Sequence, residues 1–321
     1  MVRKNKSLQR KTTSSQRSSQ PKFNLSAKNT RLLLYLIVAG ILLFFSYSFF
    51  TSTGESISAK LSDAFTKTKN LLFFNVENDT SNQGISSNTL TLDKIEQGYP
   101  KIDATGEIET YSGFHLSYNE QHEQANWVAY ILTKEMVKND KAERNDNFRP
   151  DENIQTGSAT LADYRGTGYD RGHLAPAADM HWSAESMDES FLMSNMSPQE
   201  QEFNRGIWKM LEEKVRDFAV ENERIYVVTG PILKDITKKI GKNSVSVPKY
   251  YYKVILDIST PSFKGIAFLM ENKESSKSLA SFAMSIDELE KFSGIDFFQD
   301  VKDSAIEKIE DDFDIKAWSL N

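Results

Sequence analysis

Residues 32 to 50, "LLLYLIVAGILLFFSYSFF", form a run of 19 positions without a charge. A helix that is apolar around its whole circumference cannot face water, and this length approaches what is needed to cross a hydrocarbon core. The run is therefore expected to be a single transmembrane anchor. A cleavable signal peptide is the competing reading, but its apolar stretch is ordinarily shorter and ends at a small-residue cleavage site. The following "FFTSTGES" offers at best a weak one, so the span is expected to be retained.

What precedes the run sets its orientation. Nine basic residues (Arg3, Lys4, Lys6, Arg10, Lys11, Arg17, Lys22, Lys28, Arg31) and no acid lie within residues 1 to 31. The whole chain carries −6, so the remainder sums to −15. Such a block beside a membrane span predicts a cytoplasmic N-terminus and a periplasmic or extracellular compact region. A nucleic-acid-binding arm is the alternative; a topology signal that also touches anionic lipid is the preferred reading. Few apolar residues interrupt its Ser, Thr, Gln and Asn, so it reads as disordered.

Residues 51 to 104, with "STGESIS" and "NDTSNQGISSNT", read as a polar stalk in which "LSDAFTKTKNLLFF" forms a short amphipathic helix. The compact domain is expected over 105 to 321. The chain has no cysteine, which excludes disulfides, thiolate metal sites and Cys nucleophiles. The strand-like stretches are "ANWVAYILT" (125–133), "RIYVVTGPIL" (224–233), "YYYKVILDIS" (250–259) and "KGIAFLM" (264–270). "GIWKMLEEKVRDFAVEN" (206–222) puts Ile207, Met210, Leu211, Val215 and Phe218 on one helical stripe. "SIDELEKFSG" offers Ser285 as a helix cap and Gly294 as its stop. This mixed order predicts an α+β fold on a mainly antiparallel sheet.

The chemistry concentrates in "YDRGHLAPAADM", residues 169 to 180. An imidazole titrates near neutrality and suits a general base. Arg171, two residues before His173 on a strand, projects to the same face and can fork onto phosphate oxygens. Gly172 permits close approach. Downstream, "SNMSPQEQEFNRGIWKMLEE" supplies hard oxygens in Asn195 and Asn204. With a helix starting near Asn204, a 100° wheel sets Asn204, Trp208 and Glu212 along one shoulder of the apolar stripe. Each residue alone has a plainer reading: a structural His, an Asn cap, a solvated Glu. Their order and spacing together favour a site.

"DRGH", then "SNMSPQ", then "NRGIWKMLE" resemble the DNA/RNA non-specific endonuclease family, which includes endonuclease G and secreted bacterial nucleases. The similarity extends to "YNEQHEQANWVAYILTKE", "VVTGPIL", "VPKYYYKVILD" and "SIDELEKFSGIDFF", covering roughly residues 105 to 321. The resemblance implies a ββα-metal (His-Me finger) core. It also implies His173 as general base, Asn204 as direct Mg²⁺ ligand (Mn²⁺ as a substitute), Arg171 on phosphate, Asn195 in support and Glu212 ordering water around the ion. Asp170 begins the motif and hydrogen-bonds within the core. An upstream arginine touches substrate in the family; spacing does not choose between Arg144 and Arg149, and Arg144 is preferred. The products implied carry 5′-phosphate and 3′-hydroxyl ends.

His181 is expected to cap or pack, and His115 and His122 to sit in turns; no pair has the i, i+4 spacing of a zinc site. The expected partners are DNA, RNA or both, the membrane through residues 32–50, and a second copy in a homodimer. Two rival readings stand: a catalytically silent nucleic-acid-binding module of the same fold, and a metal-dependent phosphodiesterase acting on small nucleotides. The acidic domain sits awkwardly with a polyanionic substrate, so a local patch of Arg144, Arg149, Arg171 and Arg205 is expected to supply the positive surface.

Overall fold

The computed structural model describes residues 108–259, 263–298, 301 and 304–320. The basic block, the apolar run and the stalk expected from the sequence lie outside the described residues. Among the described residues, no helix is long and apolar enough to cross a membrane.

A seven-stranded sheet organises the domain. Its strands are β1 (Ile108–Thr110), β2 (His115–Asn119), β3 (Gln124–Thr133), β6 (Arg224–Pro231), β9 (Tyr250–Asp257), β10 (Lys264–Glu271) and β11 (Ala283–Met284), hydrogen-bonded in that order. Each adjacent pair is antiparallel. Two small ribbons stand apart: β4 (Tyr169–His173) with β5 (Met196–Glu200), and β7 (Lys239–Ile240) with β8 (Val245–Ser246).

The strands expected from the sequence are the central ones of this sheet. Their near-continuous apolar character follows from burial on both faces. On one face Val128, Tyr130, Val227 and Ile255 pack with Leu211, Val215 and Phe218 of helix α1 (Lys209–Glu221). On the other, Ala129, Val228, Val254 and Leu256 meet Ile286 and Leu289 of α2 (Ile286–Ser293) and Ile306 and Ile309 of α3 (Ser304–Asp311). The result is a helix–sheet–helix sandwich of α+β type. Ser285 caps α2 through a capping box with Glu288, and Gly294 ends it in the left-handed conformation at φ 75°.

The helix expected over 206–222 differs in two ways. It begins earlier, at Gln201–Phe203, and passes through a π-helical turn at Asn204–Trp208 in which Gly206 leaves helical geometry (φ −102°, ψ −110°). Asn204 is therefore not the cap that starts the helix; its backbone is helical, at φ −59° and ψ −45°. Met210 leaves the apolar stripe and is 53% exposed: at 100° per residue it stands at the edge of the arc on which Leu211, Val215 and Phe218 are buried.

Candidate active site

β4 and β5 pair antiparallel, with His173 opposite Met196, Gly172 opposite Ser197 and Asp170 opposite Gln199. The chain then enters the helical segment bearing Asn204 and Glu212. The reason for Gly172 differs from the one expected: a Cβ there would meet the buried Gln199 side chain at 2.1 Å. The close approach is made by a neighbouring side chain of the fold.

Asn195 braces the far end of the strand. Fully buried, it donates Nδ2 to the carbonyls of Ala175 (2.9 Å) and Ser190 (2.8 Å), while its Oδ1 accepts from the Ala175 amide at 2.9 Å. Its side chain holds the segment after His173 and is one layer removed from the cleft.

The cleft, about 360 Å³, is lined by Arg144, Arg171, His173, Asn204, Arg205, Lys209, Glu212 and Arg216, with Pro176, Ala177 and Ala178. Four sequence-selected residues, His173, Arg171, Asn204 and Glu212, thus meet there, joined by Arg144 rather than Arg149. Arg149 is committed elsewhere, paired with Asp188 at 2.7 Å and donating to the Asp188 carbonyl at 2.9 Å. Arg205 is also spoken for, since Asp170 receives its Nε and Nη2, each at 2.8 Å. Arg144 is paired as well, through Nε with Asp146 at 2.8 Å, but lines the cleft and lies close enough to lower the His173 pKa. Of the expected patch of four arginines, Arg144 and Arg171 are the pair beside His173.

His173 packs edge-on against Phe191 (centroids 5.2 Å, 87°) and tilted against Phe148 (5.7 Å). Its Nε2 is buried with no hydrogen-bond partner. Burial first, then the charges of Arg144 and Arg171, push its pKa down to about 3. The imidazole is neutral across the physiological range, with a lone pair available to take a proton. Arg171 lies over the Phe148 ring at 4.1 Å and Arg144 over Phe191 at 5.0 Å. Aromatic faces thus brace both cations.

Asn204 donates Nδ2 to Asp170 at 3.0 Å, which commits the nitrogen and leaves Oδ1 as a hard acceptor. Burial pushes Glu212 up to about 7, opposed by Lys253, which is fully buried on β9. The Lys253 ammonium, itself pushed down to about 8 by burial, donates to Thr229. Arg216, overlooked in the sequence, stands one turn beyond Glu212 and pairs at 2.8 Å with buried Asp179, which also accepts from Tyr130 at 2.7 Å. Its i, i+4 spacing from Glu212 was the available signal.

The remaining histidines lie away from the cleft. His181 Nε2 contacts the carbonyls of Met136 and Val137 at 3.2 and 3.1 Å, a helix-end cap. His122 pairs with Ser246 from a turn at 2.8 Å, whereas His115 opens strand β2 rather than a turn and contacts Thr110 at 3.0 Å.

A strand carrying a neutral, unpartnered imidazole, paired with a second strand and followed by a helix offering an amide oxygen, defines a ββα-metal nuclease site. Comparison with known proteins agrees. The family model for DNA/RNA non-specific endonuclease matches residues 95–304. A nuclease of Nostoc sp. is 35% identical over 213 residues, 63% of this chain and 76% of that protein. Human mitochondrial endonuclease G is 32% identical over 62% of this chain and 72% of its own length. A crystal structure of an EndoG/EndoGI complex aligns with a TM-score of 0.59 and 33% identity, covering 65% of this chain and 91% of that one. The chain belongs to the DNA/RNA non-specific endonuclease family and is a hydrolytic nuclease.

Proposed function

We propose that this chain is a membrane-anchored, Mg²⁺-dependent endonuclease that hydrolyses phosphodiester bonds of DNA and RNA without sequence preference, leaving 5′-phosphate ends. One observation carries the reading: an unpartnered, neutral His173 shares a single cleft with Asn204, Glu212 and two aromatic-braced arginines.

The donor set fits a hard divalent ion that keeps most of its waters. Among the described residues there is no cluster of three or more His, Asp or Glu able to cage a metal, whereas Mg²⁺ commonly takes only one or two protein oxygens. Asn204 would hold it through Oδ1, with Glu212 beside it. When bound, the ion supplies charge neutralisation at the phosphate and at the leaving 3′ oxygen.

His173 takes the proton of the attacking water at Nδ1, since its Nε2 is shielded from solvent. Arg144 and Arg171 bind the non-bridging oxygens, and the incoming negative charge offsets the two cations that hold the imidazole pKa down. That relieves the part of the depression due to the two cations, while the larger part, due to burial, remains. Glu212 accepts hydrogen bonds from water in the cleft and orients it; Asn195 and Asp170 hold their neighbours in place.

The anchor rests on the uncharged run of 32–50 and the basic block before it. Both features support a nuclease domain in the periplasm or outside the cell, away from the genome. The test uses the purified full chain in detergent with supercoiled plasmid, RNA and several unrelated duplexes, in Mg²⁺ or chelator. Metal-dependent nicking, lost in His173→Ala and Asn204→Ala, is expected; full activity of His173→Ala refutes the base. Alkaline extraction of membranes tests the anchor, and release of the chain refutes it.

A further inference from the structure

β4 continues past the reacting centre, and the far end of the same face carries a second aromatic-braced cation. Side chains alternate along a strand, so Tyr169, Arg171 and His173 share one side of it. The Lys238 ammonium sits over the Tyr169 ring, 4.6 Å from its centroid, and donates to the Tyr169 hydroxyl at 3.1 Å. Arg171 is held over Phe148 by the same device. Phe148 and Tyr169 both pack on the small core of Tyr164, Met193, Met196 and Val245 beneath them.

The contrast with other cations nearby gives this its meaning. Arg149, Arg205 and Arg216 are each spent on an aspartate, and Lys209 lies 3.7 Å from Glu213. Lys238 is exposed, and among the described residues no carboxylate pairs with it. An aromatic ring and a phenol fix its position without cancelling its charge. That combination suits an anionic ligand arriving from solvent. Tyr169 stands four residues from His173, about 13 Å along an extended strand. A duplex strand rises ~3.4 Å per phosphate, so a polymer seated at His173 reaches Tyr169 within about four nucleotides.

We propose that Tyr169 and Lys238 form a phosphate-binding subsite that holds the nucleic-acid strand along β4, separate from the reacting phosphate. The inference rests on the nuclease reading above and extends it to how an acidic domain retains a polyanion. Glu200, which shares register with Tyr169 and is exposed, is the charge that opposes the contact.

The experiment measures binding of fluorescent duplex by the full chain in chelator, across a salt series. Losing one phosphate contact lowers the slope of log K against log salt by about 0.9, which is roughly eightfold in affinity at 0.1 M salt. Lys238→Ala and Tyr169→Leu are expected to show this, Lys238→Arg to retain the slope, and Glu200→Gln to tighten binding. Hydrolysis of bis(p-nitrophenyl) phosphate, too small to reach Lys238, reads the reacting centre alone and is expected to change far less than polymer cleavage. An unchanged slope in Lys238→Ala, or equal losses on the small ester and the polymer, overturns the proposal. Because the slope is read without turnover, an inactive wild type refutes the nuclease reading and leaves this test in force.

Discussion

Asn204 donates its side-chain N–H to Asp170 at 3.0 Å, so a residue of the helical turn is tied to the strand that bears His173. The same carboxylate takes a forked bond from Arg205. Asp170 thus sets which end of the Asn204 amide is presented as an acceptor. Asp170→Ala frees the amide to rotate, and partners of this kind are worth about 10- to 100-fold in metal affinity or activity. The Mg²⁺ concentration for half-maximal cleavage is expected to rise by that order. An unshifted Mg²⁺ titration would show that the amide is oriented by something else.

His173 gives a pH signature independent of catalysis. Its folded-state pKa, about 3, lies below the ordinary imidazole value. Between those limits the unfolded chain binds a proton that the folded chain does not. The stability this contributes is therefore present above about pH 6.5 and is lost as pH falls toward 3. His173→Gln removes the titration, so the fall in Tm between pH 7 and 4 should become shallower than in wild type. Parallel curves would mean that the ring protonates freely.

Lys253 lies wholly inside, with its ammonium on Thr229. Its charge lowers the Glu212 pKa against the larger effect of burial, while Arg216 also lowers it and Asp179 and Glu213 raise it. With Glu212 near 7, a rate that needs its carboxylate falls as pH drops through that value. Lys253→Met removes the opposing charge and should move this acid limb to higher pH. Glu212→Gln should abolish both the limb and its sensitivity to Lys253.

These examples show what the residue order made readable. The central strands, the Ser285 cap and the order of His173, Asn204 and Glu212 follow from local chemistry: runs of aromatic and β-branched residues, capping and spacing. Met210 and Arg205 did not: Met210 falls at the edge of the buried arc of its helix, and Asp170, 35 residues earlier, captures Arg205. The choice of Arg144 over Arg149 turns on Asp188, which reaches Arg149 from 39 residues away. Pairings of this range leave no periodic trace. Arg216 lies four residues past Glu212, but the Asp179 that pairs with it is 37 residues away and equally out of reach of local pattern.

A second pH effect arises between α2 and α3. Burial, then Glu290, Asp287, Asp296 and Glu307, push Glu310 up to about 8, and burial pushes Glu290 up to about 7. Both folded-state values exceed ordinary carboxylate values. The associated stability is therefore full at acid pH and is lost as pH rises through 7 to 8. Glu310→Gln should raise Tm at pH 8.5 and leave it nearly unchanged at pH 5, as read by calorimetry.

Gly172 and Gln199 offer the sharpest test of how the catalytic strand is held. Gln199 is fully buried, neither end of its amide has a hydrogen-bond partner, and it lies where a side chain at 172 would go. Gly172→Ala must displace Gln199 or push β4 off β5, an overpacking that typically costs about 1–3 kcal/mol. The displaced strand carries Arg171 and His173, so activity should fall further than stability alone explains. Gln199→Ala opens space for the new methyl, and the double variant should recover much of the lost Tm and turnover. If Gly172→Ala behaves as wild type, or the second substitution only adds to the damage, packing between these two residues is not what fixes the strand.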